Sequence, residues 1–164
     1  MKKVLVLMAN GFEETEFVTI VDILRRGGLN VVTSSINENL IVKGAHDIVI
    51  QADNLLLNVE LNDFICLILP GGQPGTTNLN SSNEVIDLVK KFYESKKYVC
   101  AICAAPTVLH NAGILQHKKI TAYPSYKNEF TEGHYIESKA IADDKIITGN
   151  GIEGAIDFSL MILE

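Results

Sequence analysis

The chain has 164 residues, 47% of them apolar and 21% charged, which suits one folded domain over residues 1–164 and is far from a disordered composition. Its net charge of −6 argues against a nucleic-acid binder, which needs a basic face to meet phosphates. No apolar run approaches the ~18 residues of a membrane-spanning helix, so no membrane contact is expected.

Lys2 and Lys3 precede the apolar run Val4 to Ala9. That run is too short for the core of a signal peptide, and Asn10-Gly11 and acids follow it. It reads instead as a parallel strand covered on both faces. From Glu13 the pattern turns helical through Phe17, Val18, Ile20, Val21 and Leu24, with Arg25 and Arg26 in the last turn and Gly27-Gly28 as the stop. Leu29 to Ser34 supplies a second strand and completes a βαβ unit. Leu40 to Val42 and Asp47 to Gln51 form a small peripheral hairpin, and Asp63 to Leu69 is another buried strand ending in Pro70-Gly71-Gly72. Asn83 to Lys96 is an amphipathic helix with Asn83 as its N-cap. Tyr98 to Ile102 is a strand, then come a helix after Pro106, a strand near Ile120 to Tyr123 and a short helix after Pro124. Short strands follow at Tyr135–Ile136, Ala140–Ile141 and Ile146–Thr148, and a final helix starts near Ile152. Alternating helices and buried strands predict a three-layer α/β sandwich.

In such a sheet, ligands bind beyond the carboxyl ends of the strands. Loops Asn10–Glu16, Pro70–Gly75 and Cys103–Pro106 are expected to meet there. Proline suits the first turn of a helix, so Cys103 falls on a sharp strand-to-helix bend beside free backbone N–H groups. Such a position favours a thiolate. A nucleophilic or redox-sensing cysteine is the sharper reading, and a buried structural thiol the plainer one.

Cys100 and Cys103 form a C-x-x-C. With Cys100 inside a strand, the two lie about 10 Å apart, beyond the ~7 Å reach of a disulfide. Cys100 and Cys66 are therefore read as core thiols, and three unpaired cysteines suit the reducing cytoplasm. Residues 11–16, G-F-E-E-T-E, put three acids at a helix start. One of them, protonated and buried, would suit a neighbouring sulfur, and the residues leave open which. Gly71-Gly72 lets backbone N–H groups approach a ligand, which with the N–H of Ala104 could form an oxyanion site; a tight turn that needs glycine is the plainer reading. The G-x-G-x-x-G of Gly149 to Gly154 lacks a following βαβ unit and reads as loop and packing glycines rather than a nucleotide site. No cofactor or metal is expected. Of the histidines, His46 lies in the hairpin, His110 on the helix surface and His117 in a turn, and only His134 keeps a possible place near Cys103.

Taken together, G-F-E-E-T-E, A-H-D-I-V-I, L-P-G-G, A-I-C-A-A-P and G-H-Y resemble the ThiJ/PfpI superfamily, most closely its branch of the Parkinsonism-associated protein deglycase and its bacterial relatives. The resemblance runs from Lys3 nearly to the carboxyl end. It implies a flavodoxin-like sandwich with a mostly parallel sheet and a homodimer. It also implies that Cys103 is the reactive cysteine, Glu16 the protonated acid on its sulfur, Glu13 a second pocket acid, and Gly72 and Ala104 the backbone donors. The activity implied is a cofactor-free glyoxalase acting on the small aldehydes glyoxal and methylglyoxal, or a deglycase acting on early glycation adducts. Tyr123, in T-A-Y-P, stands where the family has a pocket histidine, and with a phenol near ~10 it is a poor base at neutral pH. His46 stands where an arginine is common. Ala104 takes the place of the histidine that follows the cysteine in the protease-like branch, which sets proteolysis aside. The rival reading is a non-enzymatic oxidative-stress sensor or chaperone-like protein that uses oxidation of Cys103.

Overall fold

An unbroken apolar run is stable only when both faces of its strand are covered. In the computed structural model, which describes residues 2–164, β1 (Lys3–Met8) lies inside a seven-stranded sheet. The chain continues through α1 (Glu14–Arg26), β2 (Asn30–Ser35), the antiparallel hairpin β3 (Ile41–Lys43) and β4 (Val49–Gln51), and β5 (Asn54–Leu55). It then forms β6 (Phe64–Leu69), α2 (Gly75–Asn80), α3 (Asn83–Glu94), β7 (Tyr98–Ile102) and α4 (Pro106–Asn111). The last elements are β8 (Lys119–Ile120), β9 (His134–Tyr135), β10 (Ala140–Asp143), β11 (Ile146–Gly149) and α5 (Ala155–Leu163). The sheet order is β10-β11-β7-β6-β1-β2-β5, parallel except for β10. This is the three-layer sandwich that the alternation of elements predicts, in the flavodoxin-like form that the resemblance implies.

The period-two alternation of strand side chains sorts the core into two layers. Leu5, Leu7, Leu67, Leu69, Val99 and Ala101 face α2, α3 and α4, while Val4, Val6, Cys66, Ile68, Cys100 and Ile102 face α1 and α5. The chain places β2 on one side of β1 and β6 on the other, so the loops after β1 and β6 part at the switch point where open α/β sheets hold their ligands.

Two local expectations are corrected. The N-cap of α3 is Ser82, whose hydroxyl accepts the Val85 N–H at 3.3 Å, and Asn83 is the first helical residue. The strand near residue 120 ends at Ile120, because the following segment turns back to the site and its residue Tyr123 gives its N–H to Cys103.

Candidate active site

β7 delivers Cys103 to the carboxyl edge of the sheet, and the backbone turns there with φ of 63°. A left-handed conformation is uncommon for a residue with a side chain and persists only where neighbours hold it. Here the Cys103 N–H donates to the Gly149 carbonyl at 2.9 Å, and the Cys103 carbonyl accepts the Tyr123 N–H at 2.8 Å. The sulfur is thereby lifted out of the sheet, and the N–H groups of Ala104 and Gly72 face it.

The loops after β1 and β6 are laced to each other. Glu13 N–H donates to the Gly71 carbonyl at 2.8 Å, and Gly75 N–H to the Gly11 carbonyl at 3.0 Å. Glycine is required where they touch. A Cβ on Gly71 would run into Cys103 Cβ and stand 2.7 Å from Glu16 Oε2, while Gly72 has φ of 93° and lies against the backbone of Phe12 and Glu13.

The three acids of the G-F-E-E-T-E stretch take three separate places. Glu13 caps α1, its Oε2 accepting the Glu16 N–H at 2.7 Å, and also lines the cleft. Glu14 turns away to the hairpin, where its Oε1 accepts the His46 N–H at 2.6 Å and its Oε2 meets His46 Nδ1 at 2.9 Å. Glu16 is 0% exposed. Its Oε2 accepts the Gly71 N–H at 3.0 Å. Oε1 is buried without an aligned hydrogen bond, and the group it faces is the Cys103 thiol. The contact is loose, yet each group perturbs the other's proton.

Burial raises the Glu16 carboxyl to about 7, against the pull of Cys103 and the Gly71 N–H, with the charge of Glu13 adding to the rise. The Cys103 thiol is pushed up to about 12, first by burial and then by the Glu16 carboxyl, and the Ala104 and Gly72 N–H groups offset only part of this. The sequence argument for a thiolate at a helix start therefore has the wrong sign. α4 begins only at Pro106 and has six residues, too little to outweigh burial beside an acid. Each group thus acts on the other: the Glu16 carboxyl raises the thiol, and the loose contact with the thiol draws the carboxyl down.

The pair opens into a cleft of about 590 Å³, within the usual range for small-molecule sites. Tyr123, 50% exposed, forms part of its wall. Gly71 supports Glu16 from behind, so its part is to position that carboxyl. No histidine lines the cleft among the described residues. His134 lies in β9, paired with β8, and half-buried His110 stands edge-on to Phe130. The sequence reading missed Pro124, Ser125, Asn150, Ile152 and Glu153, which complete the walls. The signal was the glycine-rich stretch after β11. Gly151 has φ of 133°, and a Cβ there would stand 3.6 Å from both Cys103 Sγ and Glu16 Oε1, so Gly151 belongs to the site, while Gly149 and Gly154 are packing glycines as read.

Comparison with known proteins places this geometry among relatives. Residues 2–164 match the DJ-1/PfpI family. DJ-1beta of Drosophila melanogaster is 36% identical over 99% of this chain and 88% of its own length. Its crystal structure superposes with a TM-score of 0.96, covering 99% of this chain and 89% of that one. DJ-1 homolog B of Arabidopsis thaliana is 36% identical over 99% of this chain, which spans only 37% of that longer protein. The glutathione-independent glyoxalase DJR-1.2 of Caenorhabditis elegans is 35% identical over 93% of this chain and 81% of its own length.

Proposed function

The chain belongs to the DJ-1/PfpI family, and on that premise we propose that it is a cysteine-dependent glyoxalase that needs no cofactor, acting on small α-oxoaldehydes such as glyoxal and methylglyoxal or on their early adducts. The observation that carries this reading is the Cys103 thiol set against the fully buried Glu16 carboxyl beneath an open cleft. A glyoxalase named among the relatives adds support.

The chemistry follows from the pair. The Cys103 sulfur adds to the aldehyde carbon, its proton passing to the new oxygen, and a hemithioacetal forms. The Ala104 and Gly72 N–H groups face the sulfur and are positioned to stabilise negative charge developing beside it. Ionised Glu16 takes the proton from the carbon bearing sulfur and returns it to the neighbouring carbon. The product of that step is a thioester of a 2-hydroxy acid. Water cleaves it to the free acid and restores the thiol. A carboxyl near 7 can both accept and release a proton at neutral pH.

We further propose a homodimer in the cytoplasm. Val18 of α1 and Ile48 and Val49 at the hairpin are large apolar residues left exposed on elements that Glu14 and His46 tie together. The three cysteines are free thiols, and among the described residues no helix is long and apolar enough to cross a membrane.

Purified protein is expected to convert glyoxal to glycolate, and Cys103→Ser to abolish the conversion. A wild-type rate no faster than buffer sinks the reading. A second reading is favoured by Tyr123 in the cleft wall, where a phenol replaces a base. In that case mild peroxide adds two oxygens to Cys103 ahead of Cys66 and Cys100, without turnover of aldehydes.

A further inference from the structure

We infer that the cleft selects its substrate by charge, admitting neutral and cationic α-oxoaldehydes and their amine-borne adducts while excluding anionic ones, and that Glu153 sets this selectivity together with Glu13. The inference rests on Cys103 being the reacting thiol. It concerns which carbonyl compounds reach it.

Three carboxyl groups, those of Glu13, Glu16 and Glu153, line the cleft, and no lysine, arginine or histidine does so among the described residues. Glu153 is exposed at the mouth and has no ion-pair partner among the described residues. Glu13 has only His46, whose Nδ1 is 4.0 Å away and lies closer, at 2.9 Å, to Glu14. A protonated His46 therefore offsets at most one of two acids, and the carboxylate at Glu153 stays uncompensated. At the cleft floor, Glu16 is fully buried beside the Cys103 thiol, its Oε1 lacks an aligned partner, and the residue lines the cleft. Concave walls of one charge sign concentrate field lines, so the potential at the sulfur exceeds that of isolated surface charges.

Such a field acts twice in the proposed reaction. Glyoxal and methylglyoxal carry no charge and enter unopposed, whereas a phosphate or carboxylate on the aldehyde is repelled before it meets Cys103. The 2-hydroxy acid product is an anion where its substrate was neutral, so the walls that admit the substrate expel the product. A cleft of about 590 Å³ is far larger than a two-carbon aldehyde. It leaves room for an adduct on an amine-bearing side chain, whose remaining positive charge the acids favour.

The test reads the potential at Cys103 directly. Alkyl methanethiosulfonates of equal size but opposite charge, trimethylammonium-ethyl and sulfonato-ethyl, are reacted with the full chain at low salt, with Cys103→Ser defining the background. Both reagents see the same thiolate fraction, so their rate ratio is independent of the thiol's protonation. The cation-to-anion ratio is expected to exceed that of a small free thiol by about tenfold and to fall about threefold in Glu153→Gln. Added salt should compress it. A ratio equal to the free thiol's overturns the proposal, and a raised ratio unmoved by Glu153→Gln overturns the role of Glu153. In parallel, kcat/KM for methylglyoxal is expected to exceed that for anionic hydroxypyruvaldehyde phosphate by tenfold or more, with part of the gap closed in Glu153→Gln. Failure of methylglyoxal turnover alone removes the glyoxalase reading and leaves the labelling ratio to decide this one.

Discussion

The three thiols of this chain occupy two contrasting places. Cys66 and Cys100 lie on β6 and β7 with their sulfurs 3.5 Å apart, inside the layer facing α1 and α5. Cys103 stands only three residues beyond Cys100, yet it leaves the sheet at a left-handed bend, with backbone N–H groups and an acid around its sulfur. Thiol acidity does not separate the two places. Burial and the neighbouring Cys66 thiol raise Cys100 well above its ordinary value, and burial and Glu16 raise Cys103 as well. What separates them is that Cys103 opens on a cleft and its neighbour is an acid that can carry the proton away. On the proposed chemistry, what sets Cys103 apart is a neighbouring proton acceptor and access to the cleft rather than a depressed pKa.

The largest test of that lesson removes the acceptor. Glu16→Gln keeps the shape and the oxygen that meets the Gly71 N–H, but it cannot shuttle a proton. Turnover of glyoxal is expected to fall by roughly 10²–10⁴. Alkylation of Cys103 at pH 8.5 should at the same time become several-fold faster, because the charge that holds the thiol up is gone. A variant that loses turnover and gains alkylation separates acidity from catalysis. Unchanged alkylation would make burial the sole cause of the shift, and Cys103 would then resemble Cys100.

Gly71→Ala should come next, with a loss of about 10² in turnover, the scale on which a displacement near 1 Å acts. Its Cβ would collide with Cys103 Cβ and crowd Glu16 Oε2, so the bend and the acid must move apart. Overpacking of this kind costs about 1–3 kcal/mol of stability. Circular dichroism melting alongside the assay checks that the variant still folds.

Much of this contrast is legible in the sequence, for reasons that differ by residue. The apolar runs of β1, β6 and β7 announce buried strands, and Pro106 after two alanines announces the bend at Cys103. The separate tasks of Glu13, Glu14 and Glu16 are not legible, because they depend on how the first turn of α1 is rotated against the sheet and the hairpin. The contact of Cys66 with Cys100 needs strand order and register, which place β6 beside β7 with Ile68 opposite Cys100. α2 hides because Gly75–Asn80 reads G-T-T-N-L-N and carries no apolar period. The wall of Asn150 and Glu153 hides for a related reason, since long-range packing brings the end of β11 to Cys103. The sign of the thiol's shift was missed because a helix start is visible in sequence and burial is not.

A smaller effect is written in the pH dependence of stability. In the folded protein Glu16 titrates near 7, while its unfolded reference is 4.5. Between those values the folded state holds a proton that the unfolded state has lost. Stability from this group is therefore complete below pH 4.5, declines as pH rises toward 7, and is flat above that. The full span is at most about 3 kcal/mol. Denaturant melts of wild type minus Glu16→Gln isolate it from the opposing contribution of Glu14, whose pKa is lowered. A difference that rises with pH instead would mean that Glu16 is ionised in the fold, and its role as a neutral-pH proton carrier would be lost with it.

The smallest expected effect lies at the other thiols. Cys66→Ala removes one sulfur from the layer beneath α1 and α5, where Cys66 touches Cys100 and supports no group of the cleft. It should lower stability by about 1 kcal/mol, the scale for deleting a small buried side-chain atom, and leave glyoxal turnover and Cys103 alkylation at wild-type values. The sheet transmits little between the two places because the bend at Cys103 is held by Gly149 and Tyr123, not by the side chains below it. Loss of turnover in Cys66→Ala, with the fold intact by melting, would show that the core pair and the bend act as one unit. The separation of a structural from a reactive thiol within three residues would then have to be abandoned.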